Sequence, residues 1–560
     1  MARWIAGSLL VFALSTAASW TTINRPLDLR HDWLTAHTSI NLEYMRLCGP
    51  RALGASILFL PGHELDCQSP FRLKNPGKRI YLSYPTGWLL FLYPPYSLAR
   101  TAVPGTIPDY MIVRGMALLF IRLPLVALLL WWMHSVFSLS FFKLRSGLSF
   151  LLALATCTFL FSSPSYLHYT QNILFTDMFV LAPIYFSSMT LHRNRKRKRI
   201  TSSSGILLWF AIWLAVATDW YGAIWALLMA GWIAIDSRES NRRPLLLIFT
   251  SAAAVAAIHY LLQVYLLDPE LTQIASTAKY RTGSEFSLSE YWNGLEISIR
   301  NTIFVFPWSP NAAQSIWPLL LFGTALTGAL LLLFIERHGE LRILLAPFLS
   351  GIIHLAVLTQ HSEEHDFSVL KFGPAMVILL PCLVLAAVGG LNKLRGKDRL
   401  TENHRILLWI SIILSIWLVY DASNGAPLHL RTSGQPRINQ DHLAMTDLGK
   451  RVVAPKEIPV TLEEAEDGVI PMEARGWDSP IGLALAGREI YTPERLLIYS
   501  SIMTQEANSY PILLLALSRK KGCNVGWQES GLQFQDKPIF LCRTGLSLRK
   551  YLELRVKEGD

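Results

Sequence analysis

Apolar stretches close to the ~20 residues needed to cross hydrocarbon recur along this chain, separated by short loops that carry most of its charge. The first runs from Trp4 to Trp20. Others fall near residues 114–138, 147–163, 173–191, 205–219, 221–236, 244–266, 316–335, 343–360, 371–391 and 405–420. The pattern predicts an all-α polytopic membrane protein with about eleven transmembrane helices. The basic start and the small residues Ser15, Ala17 and Ala18 of the first stretch also allow a cleaved signal peptide. Either reading sends the following segment outward. Residues 21–113 hold no strongly apolar stretch of spanning length. Within them, 81–99 is apolar but rich in aromatics and broken by Pro94 and Pro95. Tyr and Trp favour the headgroup level, so this part reads as interfacial or re-entrant.

The positions of the bases orient the spans. Lys143 and Arg145, the run from Arg193 to Arg199, Arg238 with Arg242 and Arg243, Arg337 with Arg342, and Lys393 to Arg405 all fall on one side when loops alternate. That side is the cytoplasm by the positive-inside rule. A further span at 84–99 would put the polybasic run outside. The outward face then holds 21–113, 164–172, the Thr218–Gly222 corner, 267–315, 361–370 and the tail 421–560. The chain accordingly divides into a transmembrane module, 1–420, and an extracytoplasmic domain, 421–560. The compact loops suit a bacterial inner membrane.

Composition supports this class. Charged residues make up 16% of the chain and hydrophobic ones 52%, whereas soluble domains carry roughly 25% charged residues. The net charge of +11 does not signal nucleic acid, because the bases sit in loops between apolar runs. Cys48 and Cys67 share the first outer segment, and Cys523 and Cys542 share the tail. Two disulfides in an oxidising compartment fit this placement, with free buried thiols as the alternative. Cys157 and Cys382 lie inside spans. In the tail, Thr492-Pro493-Glu494 reads as a helix start, and runs near Val525–Trp527, Leu532–Phe534 and Ile539–Leu541 read as strands. A small α/β domain is expected there.

Candidate chemistry gathers at the outer ends of the spans. Asp32, flanked by His31 and Trp33, follows the first span, and such a carboxylate can accept a proton from an attacking hydroxyl. A loop acid that caps the next helix is the structural alternative. His168 and Tyr169 lie in a Pro- and Tyr-rich outer loop that ends at Asp177. An acid at the mouth of a span must face protein, water or a cation, although a helix N-terminus also favours it. Asp219 interrupts an apolar stretch between two short spans and needs a partner or a function there, or caps the following helix. His361 and His365, four residues apart, could bind a divalent metal if helical. Asp366 follows them, and Lys371 could meet a phosphate as a point charge or simply reach the interface. No Walker loop, dinucleotide fingerprint, zincin helix or serine elbow appears in a suitable context.

These features resemble the GT-C superfamily of membrane glycosyltransferases, whose members include protein O-mannosyltransferases and the bacterial lipid A aminoarabinose transferase. The likeness covers roughly 1–420 and is carried by architecture and short motifs. They are Asp32 soon after the first span, a long outer loop with Tyr84-Pro-Thr-Gly-Trp88, Arg114 and the Arg122-Leu-Pro stretch, Asp177 after a Pro and aromatic loop, and a soluble outer domain. The resemblance implies a polyprenyl-phosphate-linked sugar as donor, a glycan, lipid or protein acceptor, Asp32 as general base and Asp177 as second acid. It implies substrate contacts from His31, Tyr84, His168, Tyr169, Asp219, His365, Asp366 and Lys371. The family often pairs a second acid with the first; here the neighbours are His31 and Trp33. A lipid-linked sugar flippase or other polytopic transporter is the rival class. It would place ionisable residues near the midplane.

Overall fold

The helix that begins at Asp109 continues to Phe137, 29 residues in all, with one widened turn at Leu118–Arg122. The computed structural model describes residues 2–20, 23, 32–50, 57–58, 80–103, 107, 109–139, 144, 146–236, 239, 241–282, 287–302, 340–364, 366–375, 377–378, 381–382, 452, 457–461, 509–516, 523, 525–534 and 537–558. In chain order the helices are α1 (Ala2–Ser19), α2 (Asp32–Cys48), α3 (Gly87–Ala102), α4 (Asp109–Phe137), α5 (Ser146–Ser162), α6 (Pro164–Gln171), α7 (Thr176–Phe179) and α8 (Leu181–Arg197). Then come α9 (Ser202–Val216), α10 (Trp220–Ile235), α11 (Arg242–Leu267), α12 (Thr272–Arg281), α13 (Leu288–Thr302), α14 (Glu340–Val357), α15 (Thr359–Glu364) and, near the end, α16 (Leu548–Glu558).

By length and apolarity α1, α4 and α11 suffice to cross a membrane, and α5 with α6 forms a sharply bent pair that passes together. Helices α9, α10 and the Ala346–Val357 part of α14 are shorter but apolar. The predicted spans at 316–335 and 405–420 lie outside the described residues, as does most of 371–391.

Chain contacts divide the molecule into two bodies. The first comprises Met1–Ile23, Arg114–Leu261 and Ile274–Leu430. Here α1 packs on α4 and α5, α4 on α8, and α14 on α8 and α10. The ends of these helices are set by ordinary local chemistry. Thr201 and Ser204 form a reciprocal capping box at the start of α9, with N···O distances of 3.2 and 3.1 Å. Helix α8 ends on Lys198 in the left-handed region, φ 52°, behind Arg195, Lys196 and Arg197, a basic last turn that suits the helix dipole. Gly222 lets the α9–α10 corner close tightly, because a Cβ there would lie 2.0 Å from the Ala215 carbonyl oxygen.

A buried guanidinium ties three elements of this body. Arg122 donates to Thr170 Oγ1 at 2.9 Å, Ser19 Oγ at 2.8 Å, and the carbonyls of Ser15 and Leu167 at 3.2 and 2.6 Å. Its side chain is fully buried. A buried charge is tolerated only with such dense hydrogen bonding.

The second body comprises Asn24–Val113, Leu262–Gln273 and Arg431–Asp560. Helix α2 packs on α3, with the strand pair β1 (Ile57–Leu58) and β2 (Ile80–Tyr81) beside it. Glu43 links the two helices: it pairs with Arg46 at 2.7 Å and accepts from Tyr96 Oη at 3.1 Å. Helix α3 continues through Pro94 and Pro95. The expected break at that pair is therefore corrected. Proline removes its own N–H and crowds the preceding turn, but burial of Trp88, Leu89, Leu92 and Tyr96 holds this helix together.

The tail carries a four-stranded sheet of β3 (Ile458–Thr461), β4 (Pro511–Ala516), β5 (Gln528–Phe534) and β6 (Lys537–Ser547), in the order β3-β4-β6-β5. Strand β3 runs parallel to β4, and the other pairings are antiparallel. Ile458, Val460, Ile512, Leu514, Cys542, Leu548 and Tyr551 form its core, so the predicted α/β character holds. The run Val525–Trp527 is a bend ahead of β5, with Gly526 at φ +96°, whereas the other two predicted strands lie within β5 and β6. The Thr492 helix start lies outside the described residues. Cys523 and Cys542 form a disulfide. Cys48 is disulfide-bonded too, and its expected partner Cys67 lies outside the described residues. Cys157 and Cys382 are free and buried.

Candidate functional site

Four polar side chains meet inside the first body, delivered by four different parts of the chain. Asp177 sits in the first turn of α7, just before α8. Asp219 occupies the corner between α9 and α10 and caps α10, its Oδ1 accepting from Tyr221 N at 2.8 Å. Both readings of Asp219 offered by the sequence are thus realised: it caps the helix, and it has a charged partner. Lys371 lies in the 3-10 turn Asp366–Phe372. His354 is in the last turn of α14.

Lys371 Nζ is the hub. It lies 2.7 Å from Asp177 Oδ1, 3.3 Å from Asp219 Oδ1 and 3.1 Å from His354 Nε2. His354 Nε2 is itself 3.8 Å from Asp219 Oδ1. The Tyr221 ring offers its face to the ammonium at 5.7 Å. Lys371 and Asp219 are fully buried, and Asp177 and His354 nearly so. Facing Lys371, His354 accepts at Nε2, which places its ring proton on Nδ1. Neither His354 Nδ1 nor Asp219 Oδ2 has a hydrogen-bond partner among the described residues. Arg281, buried at the end of α12, acts electrostatically on both carboxylates.

The surrounding packing fixes the hub. Tyr221 Oη donates to the Pro347 carbonyl at 2.6 Å, which ties α10 to α14. Tyr166 Oη, on α6, donates to the Leu370 carbonyl at 2.6 Å, next to Lys371. Gly373 makes room for that tyrosine, since a Cβ there would lie 2.5 Å from its hydroxyl.

The structure therefore brings together Asp177, Asp219 and Lys371. It corrects the picture of 164–172 as an open loop: α6 begins with Pro164 at its first turn and buries His168 and Tyr169. His168 Nδ1 faces Asn172 Nδ2 at 3.3 Å, and its ring meets Tyr169 at 5.0 Å. His361 is on α15, buried, with its ring 6.3 Å from that of His354. His31 and His365 lie outside the described residues, and for Asp32 and Asp366 only the backbone is described, each opening a helical segment. Tyr84 is buried in the second body. Among the described residues no group of three or more His, Cys, Asp or Glu is arranged to hold a metal ion.

His354 was missed by the sequence reading, which absorbed it into the apolar span 343–360. The usable signal was an imidazole in an otherwise apolar run, since ionisable groups in such runs mark function or partners.

Neither protein-family models nor the sequences of curated proteins match this chain. Solved structures do. ArnT from Cupriavidus metallidurans in the apo state superposes with a TM-score of 0.52 at 12% identity, over 98% of this chain and 98% of its own. The same protein bound to undecaprenyl phosphate gives 0.51 at 13% identity, over 96% and 97%. At that identity the likeness speaks for fold alone, and it runs nearly end to end: this chain has the fold of the ArnT structures.

Proposed function

We propose that this chain is a membrane glycosyltransferase that moves a sugar from a polyprenyl-phosphate donor to an acceptor hydroxyl on the extracytoplasmic side. The observation that carries the reading is the buried Asp177–Lys371–Asp219–His354 centre, in a chain that shares nearly its whole length with a fold captured holding undecaprenyl phosphate. Charges are costly among apolar helices and are kept there for function.

The chemistry is an inverting displacement. The acceptor oxygen forms a bond to the anomeric carbon as the bond from that carbon to the phosphate oxygen breaks. The acceptor proton passes to a carboxylate, and the electron pair leaves with polyprenyl phosphate. Asp32, at the first turn of α2, is the proposed base. Asp177 is the proposed second acid, oriented by Lys371. Lys371 and Arg281, which acts on both carboxylates, offset the two acids, so the centre does not repel the departing phosphate by a net negative charge. His31, His168, Tyr169 and Tyr84 are proposed substrate contacts, and the tail a cover or acceptor platform.

A flippase for lipid-linked sugars is the second reading, because a buried charged centre also marks transport paths. Purified protein in proteoliposomes with a radiolabelled polyprenyl-phosphate sugar decides between them. A transferase consumes the donor and labels an acceptor; a flippase moves it across unchanged.

A further inference from the structure

Two carboxylates and an imidazole are donor types that elsewhere hold a divalent cation, but Asp177, Asp219 and His354 are not spaced to hold one. Here a side chain of the protein stands among them. We infer that Lys371 is a built-in cation that takes a divalent metal's place, so that the Asp177–Asp219–His354 centre works without one.

Three observations carry this. The first is distance: Lys371 Nζ stands 2.7, 3.3 and 3.1 Å from its three neighbours. The Asp219 and His354 contacts are hydrogen bonds and the Asp177 contact is an ion pair, whereas metal–oxygen and metal–nitrogen bonds are about 2.0–2.6 Å. The second is valence. An ammonium has three N–H groups and no acceptor, and it has three acceptor atoms around it, with the Tyr221 ring centroid 5.7 Å away. The third is charge. One ammonium between two carboxylates leaves a single negative charge, and the nearby Arg281 opposes it, so little net attraction is left for a second cation.

The ammonium is also held from behind. Lys371 lies in a 3-10 turn whose Leu370 carbonyl receives Tyr166 Oη at 2.6 Å. The Asp219 end is fixed by the Tyr221 backbone N–H at 2.8 Å. A flexible lysine is thereby made a fixed charge, which is what a metal would otherwise supply.

The inference concerns the centre and stands apart from glycosyl transfer, because its readout is metal binding. The test uses the full chain purified in detergent, with Mn²⁺ as the probe and its free-ion EPR signal as the readout. Wild type and Asp219→Asn are expected to bind the same background of Mn²⁺. A wild-type site that Asp219→Asn abolishes overturns the inference. Lys371→Gly is expected to gain a Mn²⁺ site at least about tenfold tighter than any in wild type, which Asp219→Asn in the same background removes. Lys371→Gly is also expected to regain thermal stability when butylammonium is added; gain of neither metal nor amine response overturns the assignment. If Lys371→Gly fails to accumulate, the wild-type comparison decides alone.

Discussion

Lys371 Nζ and Asp177 Oδ1 lie 2.7 Å apart, both buried, joining the start of one apolar helix to a short turn far along the chain. Removing one member of a buried ion pair leaves the other charge unmatched, at a cost of about 3–5 kcal/mol. Here the ammonium serves two carboxylates, so its loss strands both. Lys371→Met is expected to lower thermal stability more than either Asp177→Asn or Asp219→Asn. In a double-mutant comparison, Asp177→Asn is expected to recover part of the Lys371→Met loss. Strictly additive losses, measured by thermal unfolding in detergent, would show that the two groups do not interact.

Arg122 tests the packing of α1 against α4 and α6. Its guanidinium reaches Ser15, Ser19, Leu167 and Thr170 through in-plane N–H groups on its edges. Lysine keeps the charge but not the fork. Arg122→Lys is expected to destabilise by about 2–3 kcal/mol, and Arg122→Met by more, because four oxygens then lose the donor that Arg122 supplies. The measurement is the shift in denaturation midpoint. Equal stability of wild type and Arg122→Lys would count against that guanidinium tie.

How much of this could be read from residues alone varies by level. Apolar runs located helices such as α5, α9, α10 and α11 to within a few residues, because burial in lipid or in a bundle demands uninterrupted apolarity. Asp177, Asp219 and Lys371 each stood out as costly ions at the edge of such runs. Their meeting did not, since it depends on how α7, the α9–α10 corner and the 3-10 turn pack. The two misjudged segments share a cause. The sequence reads as Pro-broken in 81–99 and as a Pro- and Tyr-rich loop in 164–172, yet Pro164 stands at a first helical turn, where no N–H is needed. Pro94 and Pro95 lie in a helix held by buried aromatic and leucine side chains.

His37, on α2, gives a pH dependence. Burial pushes its imidazole down to about 3, whereas the unfolded chain titrates near 6.5. Above about 6.5 neither state takes the proton, and this contribution to stability is whole. As pH falls below that value the unfolded state gains a proton the native state refuses. Stability then drops by about 1.4 kcal/mol per unit until pH nears 3. His37→Gln is expected to remove that slope. Melting curves of both proteins between about pH 7.5 and 5 check it, and parallel curves would exclude His37 as a source.

The Cys523–Cys542 bridge spans 19 residues of sequence. By loop entropy a bridge of that span stabilises by about 3 kcal/mol, a large share for a small sheet. Reduction, or Cys523→Ala with Cys542→Ala, is expected to speed proteolysis within the tail sheet, where Cys542 belongs to the core. Cleavage kinetics resolved by C-terminal labelling provide the measurement, and unchanged kinetics would assign the sheet's stability to its apolar core alone.

Asp32 is the sharpest test of the proposed chemistry. It opens α2, where a carboxylate gains about 0.3–1 kcal/mol from the helix dipole and asparagine also serves well at a helix start. Asp32→Asn is therefore expected to keep the fold and its melting temperature within a few degrees. A general base contributes about 10²- to 10⁴-fold, so the same variant is expected to lose turnover of polyprenyl-phosphate sugar by that factor while still binding the donor. The two readouts separate a base from a scaffold residue. If stability falls together with activity, Asp32 is structural. If turnover persists near the wild-type rate, another group takes the acceptor proton, and Asp177, the proposed second acid, is the next carboxylate to replace.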